Sequence, residues 1–174
     1  MTGLDPDSDA IIEIFCVITD DQLELVDHEG WGTVVHQSRE RMDQMDDWCT
    51  RVHGGSGLTA AVIESSVTAE QAADDLLAYV RRYVPNKRVA LLAGNSVHAD
   101  RSFLCKQPYK KVLDHLHYRI LDVSSLKEAA RRWCPDVASG VPTKKGMHKA
   151  KQDILESIEE ARYYKSAIFQ NTER

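Results

Sequence analysis

The sequence predicts an α/β fold, a mixed β-sheet flanked by helices, and three observations support it. β-Branched apolar runs crowd the first third, apolar residues recur at helical spacing from Thr68 onward, and strand-like and helix-like segments alternate after that. Ile11 to Thr19 (IIEIFCVIT) is nearly continuous and apolar, which suits a strand covered on both faces. Asp20-Asp21-Gln22 signals a turn and Leu23 to Val26 a second strand. Gly30-Trp31-Gly32 is a break before Thr33 to His36, so the opening elements form an antiparallel meander.

Thr68-x-x-Gln71 is a capping box, and Ala72, Leu76, Tyr79, Val80 and Tyr83 trace a helical face until Pro85-Asn86 stops it. Val89 to Ala93 gives a short buried strand, Gly94-Asn95 a turn, and Asp100 to Lys106 a brief helix ending before Pro108. Tyr118 to Leu121 is one more strand. Asp122-Val-Ser124-Ser125, with Glu128 three beyond Ser125, opens a helix running to Cys134-Pro135. A loop follows to Gly146, and a long amphipathic helix covers Met147 to Ile168.

The 174 residues fit one domain, and at that length folding buries roughly 70% of the unfolded surface, enough for a core without metal or disulfide staples. A balance of 22 Lys+Arg against 27 Asp+Glu leaves a formal charge of −5, which excludes the basic signature of a protein that coats nucleic-acid duplexes. Cys16, Cys49, Cys105 and Cys134 form no CxxC pair, so they read as buried thiols of a reduced compartment rather than zinc ligands. No apolar run approaches the ~18 residues of a membrane span, and MTGLDPDSD lacks the features of a secretory signal. The expectation is a soluble, intracellular protein.

Three segments hold polar residues that packing alone does not require. In Gly94-Asn-Ser-Val-His-Ala-Asp100 a buried strand ends in small polar residues, and Asp100 reads either as a helix N-cap or as a site carboxylate. In His148-Lys-Ala-Lys-Gln-Asp153 the i, i+5 spacing sets the two side chains about 140° apart around a helix, able to border one cleft without sharing a metal. His148 alone is equally a surface residue at a helix start. In His117-Tyr-Arg-Ile-Leu-Asp122-Val-Ser124-Ser125, Tyr118 can stack on a base and Arg119 can fork onto phosphate, or the pair can be a solvated strand edge. Trp48 and His53 are either stacking surfaces for bases or a core aromatic and a loop imidazole.

Taken together, these segments resemble the oligoribonucleases, members of the DEDD-type 3′-to-5′ exonucleases. MTGLDPDSDAIIEI is similar to the family's first motif and following strand, GNSVHADRSFL to its second, HYRILDVSSLKEAARRW to an intervening signature and HKAKQDILESIEE to its third. The resemblance covers nearly the whole chain. It implies an RNase H-like fold and hydrolysis of short RNA, dinucleotides especially, from the 3′ end to nucleoside 5′-monophosphates. It also implies two divalent metal ions, Mg²⁺ or Mn²⁺, with Asp100 and Asp153 as two of the four carboxylates expected to hold them and His148 as general base. Leu4 is implied as a wedge against the bases, Trp48 and His53 as a stacking wall, and Ser96 and Ser124 as donors to the terminal 5′ phosphate. Tyr118 and Arg119 are implied to reach the site of the other subunit of a homodimer, in the cytoplasm or mitochondrion.

The family's Asp-x-Glu stands immediately before the Met-Thr-Gly-Leu segment, and this sequence begins at that methionine. Asp5, Asp7 and Asp9 follow the motif in a polar turn and do not replace it. Residues 1–174 are therefore expected to form one exonuclease domain shortened at its start, lacking the first interior strand and impaired in turnover. The alternative is a catalytically inactive dimer that binds short RNA or dinucleotides.

Overall fold

The computed structural model describes residues 1–142 and 150–170. Strand β1 (Glu13–Cys16) pairs antiparallel with β2 (Trp31–Val34), from Glu13 opposite Val34 to Cys16 opposite Trp31. Short helices α1 (Arg39–Met42), α2 (Asp47–Gly55) and α3 (Leu58–Glu64) follow, then the long α4 (Ala69–Tyr83). Strand β3 (Leu92–Gly94) leads into α5 (Val97–Leu104) and α6 (Lys110–Leu113). Strand β4 (Ile120–Asp122) leads into α7 (Val123–Trp133) and α8 (Pro135–Ser139), and α9 (Ala150–Tyr164) continues as a wider π-helical turn over Lys165–Gln170.

Among the described residues the strands form two separate two-stranded sheets, β1 with β2 and β3 with β4, the latter parallel. No ladder joins them. Ile14 of β1 and Leu92 of β3 instead pack against the same buried clusters, which contain Ala72, Ala73, Leu76, Leu77 and Val80 of α4. Helix α4 forms where its capping box predicts: Thr68 Oγ1 accepts from the Gln71 N–H at 3.1 Å. On the other side α9 packs on β1, β3 and α7, and its Ala161 and Tyr164 join Val123 and Ala130 in a third cluster.

Several elements depart from the sequence reading. The strand expected over Ile11 to Thr19 is regular only from Glu13 to Cys16. Leu23 to Val26 is a tight turn with a single bridge, Thr19 to Leu25, instead of a strand. Asp20 Oδ1 accepts from the Gln22 and Glu24 N–H groups, both at 2.8 Å, and Leu23 is left-handed at φ 69°. The Arg162 guanidinium holds the Leu23 carbonyl from α9 at 2.6 and 3.1 Å. Trp31 and Gly32 lie inside β2 rather than in a break, because the Phe15 ring covers Gly32 where a side chain would stand. The run Val89 to Ala93 is not a buried strand: Val89 and Leu91 are exposed, and regular pairing starts at Leu92. The fourth strand begins at Ile120 instead of Tyr118. The stretch after Cys134, expected to be loop, starts with α8. Cys49 is buried as expected, Cys16 and Cys134 are partly buried, and Cys105 is exposed at a helix end.

Replacing Gly32 with alanine would drive a methyl group into the Phe15 ring and against the Ile14 carbonyl. Overpacking of this kind is expected to lower stability by about 1–3 kcal/mol, read as a lower urea midpoint at unchanged slope.

Candidate active site

The parallel pair places Gly94 at the end of β3 beside Asp122 at the end of β4, and the polar loops emerge there. The carboxyl edge of parallel strands is where α/β sheets build their sites. Asp122 organises this edge. Its Oδ1 accepts from the backbone N–H groups of Ser96 and Ser124, each at 3.0 Å, and its Oδ2 lies 3.2 Å from His98 Nδ1. It caps α7, so the helix begins at Val123 and not at the Ser125 box.

Ser96 occupies the left-handed region at φ 50°, uncommon for a residue with a side chain. Its N–H is shared between Asp122 Oδ1 and Ser124 Oγ, the second at 2.9 Å, and its hydroxyl lies 3.2 Å from the Ser124 hydroxyl. Ser96 is the N-cap of α5 but its side chain makes no capping bond. Two hydroxyls thus lie together at the start of α5, beside the Asp122 carboxylate. Asp100 is consequently not the N-cap; it lies in the first turn of α5.

Asp100 keeps much of its surface in solvent, while surrounding atoms strip water from its carboxyl and raise its pKa; a backbone hydrogen bond acts the other way. Glu13 of β1 is also shifted upward, first by desolvation and further by the negative charge of Asp153 on α9, with the Met1 end opposing. Glu13 thus lies within electrostatic range of Asp153 and beside Met1. His53 reaches the same place, its Nε2 at 3.0 Å from the Met1 carbonyl, and burial lowers its pKa. Trp48, on the same helix α2, and Leu4 keep large apolar faces in solvent at 52% and 79% exposure.

Tyr118 and Arg119 precede β4, about 13 and 10 Å of extended chain from Asp122. Tyr118 stacks on His117 at 4.5 Å, and the Arg119 guanidinium covers the Tyr118 ring at 4.8 Å. His148 lies outside the described residues. Among the described residues no group of three His, Cys, Asp or Glu side chains converges closely enough to cage a metal. A hard divalent ion is held by one or two carboxylates with water and substrate phosphate completing its shell, and carboxylate oxygen is the donor type of Asp100 and Asp153.

Residues 1–161 match the exonuclease family model. The chain is 46% identical to the probable oligoribonuclease of Schizosaccharomyces pombe, over 95% of this chain and 64% of that protein. It is 48% identical to the mitochondrial oligoribonuclease of Saccharomyces cerevisiae, over 94% of this chain and 63% of that protein. With the oligoribonuclease of Neisseria meningitidis it shares 48% identity over 95% of this chain and 86% of that protein. The chain belongs to the oligoribonuclease family. It spans less than two thirds of the length of the two yeast relatives. Its domain is RNase H-like, and exonucleases of this kind use divalent metal ions.

Sequence reasoning left out four residues of this oligoribonuclease site. Glu13 was visible as the one charge within an apolar run. Asn95 and His98 lie inside the second motif, and Asp122 was seen only as part of a helix start. Replacing Asp122 with alanine removes the cap of α7 and one of the two acceptors of the Ser96 N–H. It should lower stability by about 1–2 kcal/mol in urea unfolding and speed hydrogen exchange at the Ser96 amide. Unchanged exchange at Ser96 would contradict the anchoring role.

Proposed function

We propose that residues 1–174 act as one 3′-to-5′ exoribonuclease domain that degrades short oligoribonucleotides, dinucleotides especially, to nucleoside 5′-monophosphates. The reading is supported by the parallel-strand edge at which Asp122 draws the Ser96 and Ser124 hydroxyls to 3.2 Å from each other, with Asp100 following in the first turn of α5. Asp100 and Asp153 would be among the ligands of two divalent ions, Mg²⁺ or Mn²⁺, since hard cations take oxygen donors. Bound ions of this type lower the pKa of the attacking water and stabilise the leaving 3′ oxygen. His148, assigned from its motif alone, takes the proton of that water.

Ser96 and Ser124 donate to the terminal 5′ phosphate. A ligand of two nucleotides spans from there to the carboxylates, where Leu4 wedges against a base and Trp48 with His53 forms a stacking wall. The exposure of Leu4 and Trp48, unusual for large apolar side chains, supports a role in contact with bases. A positioned phosphate fixes the scissile bond relative to the carboxylates, which is the entropic benefit of holding a short substrate by both ends.

Tyr118 and Arg119 serve the site of a second copy in a homodimer. The His117 N–H donates to the Ala90 carbonyl at 2.8 Å, which joins the segment carrying exposed Tyr118 to the one carrying exposed Val89 and Leu91. Such exposure supports a covered face, and the Arg119 guanidinium can then fork onto the partner's bound phosphate. Among the described residues no helix is long and apolar enough to cross a membrane. Work in the cytoplasm or mitochondrion is in keeping with the mitochondrial naming of the Saccharomyces cerevisiae relative.

Incubating the protein with a 5′-phosphorylated dinucleotide and Mg²⁺ or Mn²⁺ should release mononucleotides, resolved by chromatography. Binding without release in either metal would support the inactive binding dimer instead. Asp153→Asn and His148→Ala should each remove most turnover, whereas Arg119→Ala should mainly raise KM. Wild-type turnover in Asp153→Asn would remove the metal assignment.

A further inference from the structure

Glu160 is 1% exposed, yet it carries a carboxylate into a cluster otherwise built from Val123, Ala130, Ala161 and Tyr164. Packing alone favours an apolar side chain there, because a buried carboxylate gives up its hydration. Its partners include Asn95 Nδ2 at 3.0 Å, the Tyr164 hydroxyl at 3.5 Å and Lys127 Nζ at 3.9 Å. The shortest of these leads out of the core and into the serine pair.

Asn95 has two amide hydrogens. One goes to Glu160 Oε2, and Nδ2 also lies 3.5 Å from Ser124 Oγ, while Asn95 Oδ1 is buried with no hydrogen-bond partner. Turning the amide over would set its oxygen against the Glu160 carboxylate, acceptor against acceptor. Glu160 thus dictates which way the amide points. The consequence falls on Ser124. Its oxygen has two lone pairs, one taken by the Ser96 N–H at 2.9 Å and the other facing Asn95 Nδ2. The Ser124 hydrogen remains, and that hydroxyl must donate: to Ser96 Oγ when the site is free, or to an acceptor such as a phosphate oxygen.

We propose that Glu160 is a positioning residue for phosphate recognition, acting through the Asn95 amide to present the Ser124 hydroxyl as a donor to the substrate's 5′ phosphate. The proposal rests on the reading of Ser96 and Ser124 given above. Because Glu160 stands seven residues after Asp153 on α9, on the same side of the helix, one rigid element carries both the metal ligand and the group that sets the phosphate donor. Asn95 separates the buried charge from the phosphate and passes on orientation without repulsion.

The test measures binding of a 5′-phosphorylated dinucleotide, and of the same dinucleotide without that phosphate, to the full chain by titration calorimetry. Glu160→Met keeps the volume but removes the acceptor. It should weaken the phosphorylated ligand about tenfold, the equivalent of one net hydrogen bond, and leave the unphosphorylated one within about twofold. Glu160→Gln, which retains an acceptor for Asn95, should recover most of the loss. Asn95→Ala should match Glu160→Met, and the double variant should be no weaker than the worse single one. If Glu160→Met does not fold, Asn95→Ala decides: a phosphate-selective loss supports the relay and an unchanged affinity overturns it. Equal losses on both ligands overturn it too. A wild-type protein that discriminates, combined with a Glu160→Met variant of wild-type affinity, overturns this inference alone. A wild-type protein that holds both ligands equally overturns the phosphate reading and the relay with it.

Discussion

The Asp122 carboxylate is the constraint on which the site geometry rests. Two parallel strands end side by side, and at such an end the chain must turn while its N–H groups lose their ladder partners. Asp122 supplies those partners for both turns at once, holding the Ser96 and Ser124 amides on one oxygen atom. A single acceptor shared by two loops forces them together. The serine hydroxyls then lie 3.2 Å apart although the residues are 28 positions distant in the chain. That shared acceptor also stabilises the left-handed Ser96, whose conformation turns the chain from β3 into α5 and carries Asp100 with it.

A second level of organisation comes from α9. It spans both small sheets, brings Asp153 to the Glu13 side and sets Glu160 beneath the serines. Arg162 fixes its far end by gripping the Leu23 carbonyl. The helix therefore links the metal end, the phosphate end and the first hairpin, three regions contributed by separate stretches of sequence. Loss of solvent raises the pKa of both Asp100 and Glu13, while the Asp122 carboxylate is taken up by the Ser96 and Ser124 N–H groups.

Elements with local causes were legible in the sequence. Thr68 caps α4 through a bond three residues long, and Pro85 ends the periodic stretch soon after Tyr83. Elements decided at a distance were not. The Leu23 turn is closed by Asp20 but held to α9 by Arg162, 139 residues away, and the Ser96 cap depends on Asp122, 26 residues away, so local propensity favoured a strand at one and an Asp100 cap at the other. Helices α1 to α3 gave no clear apolar period because each is short, and α1 and α2 start from the side-chain caps Ser38 and Asp46. For the site, motif resemblance singled out Asp100, Asp153, Ser96 and Ser124. Glu160 stayed hidden because a glutamate on an amphipathic helix reads as a solvated face until the fold turns it inward.

The separation of the two sheets bears on how the carboxylates are spaced. A hydrogen-bonded ladder locks neighbouring strands into a fixed register, since each bond is directional and one slipped residue breaks them all. Contacts between greasy side chains set a separation but no register. Asp100 is anchored to the β3 and β4 pair, and Glu13 belongs to the β1 and β2 pair. The interval between these acids is thus governed by how α4 and α9 bridge the two halves, which makes it an adjustable gauge rather than a rigid one.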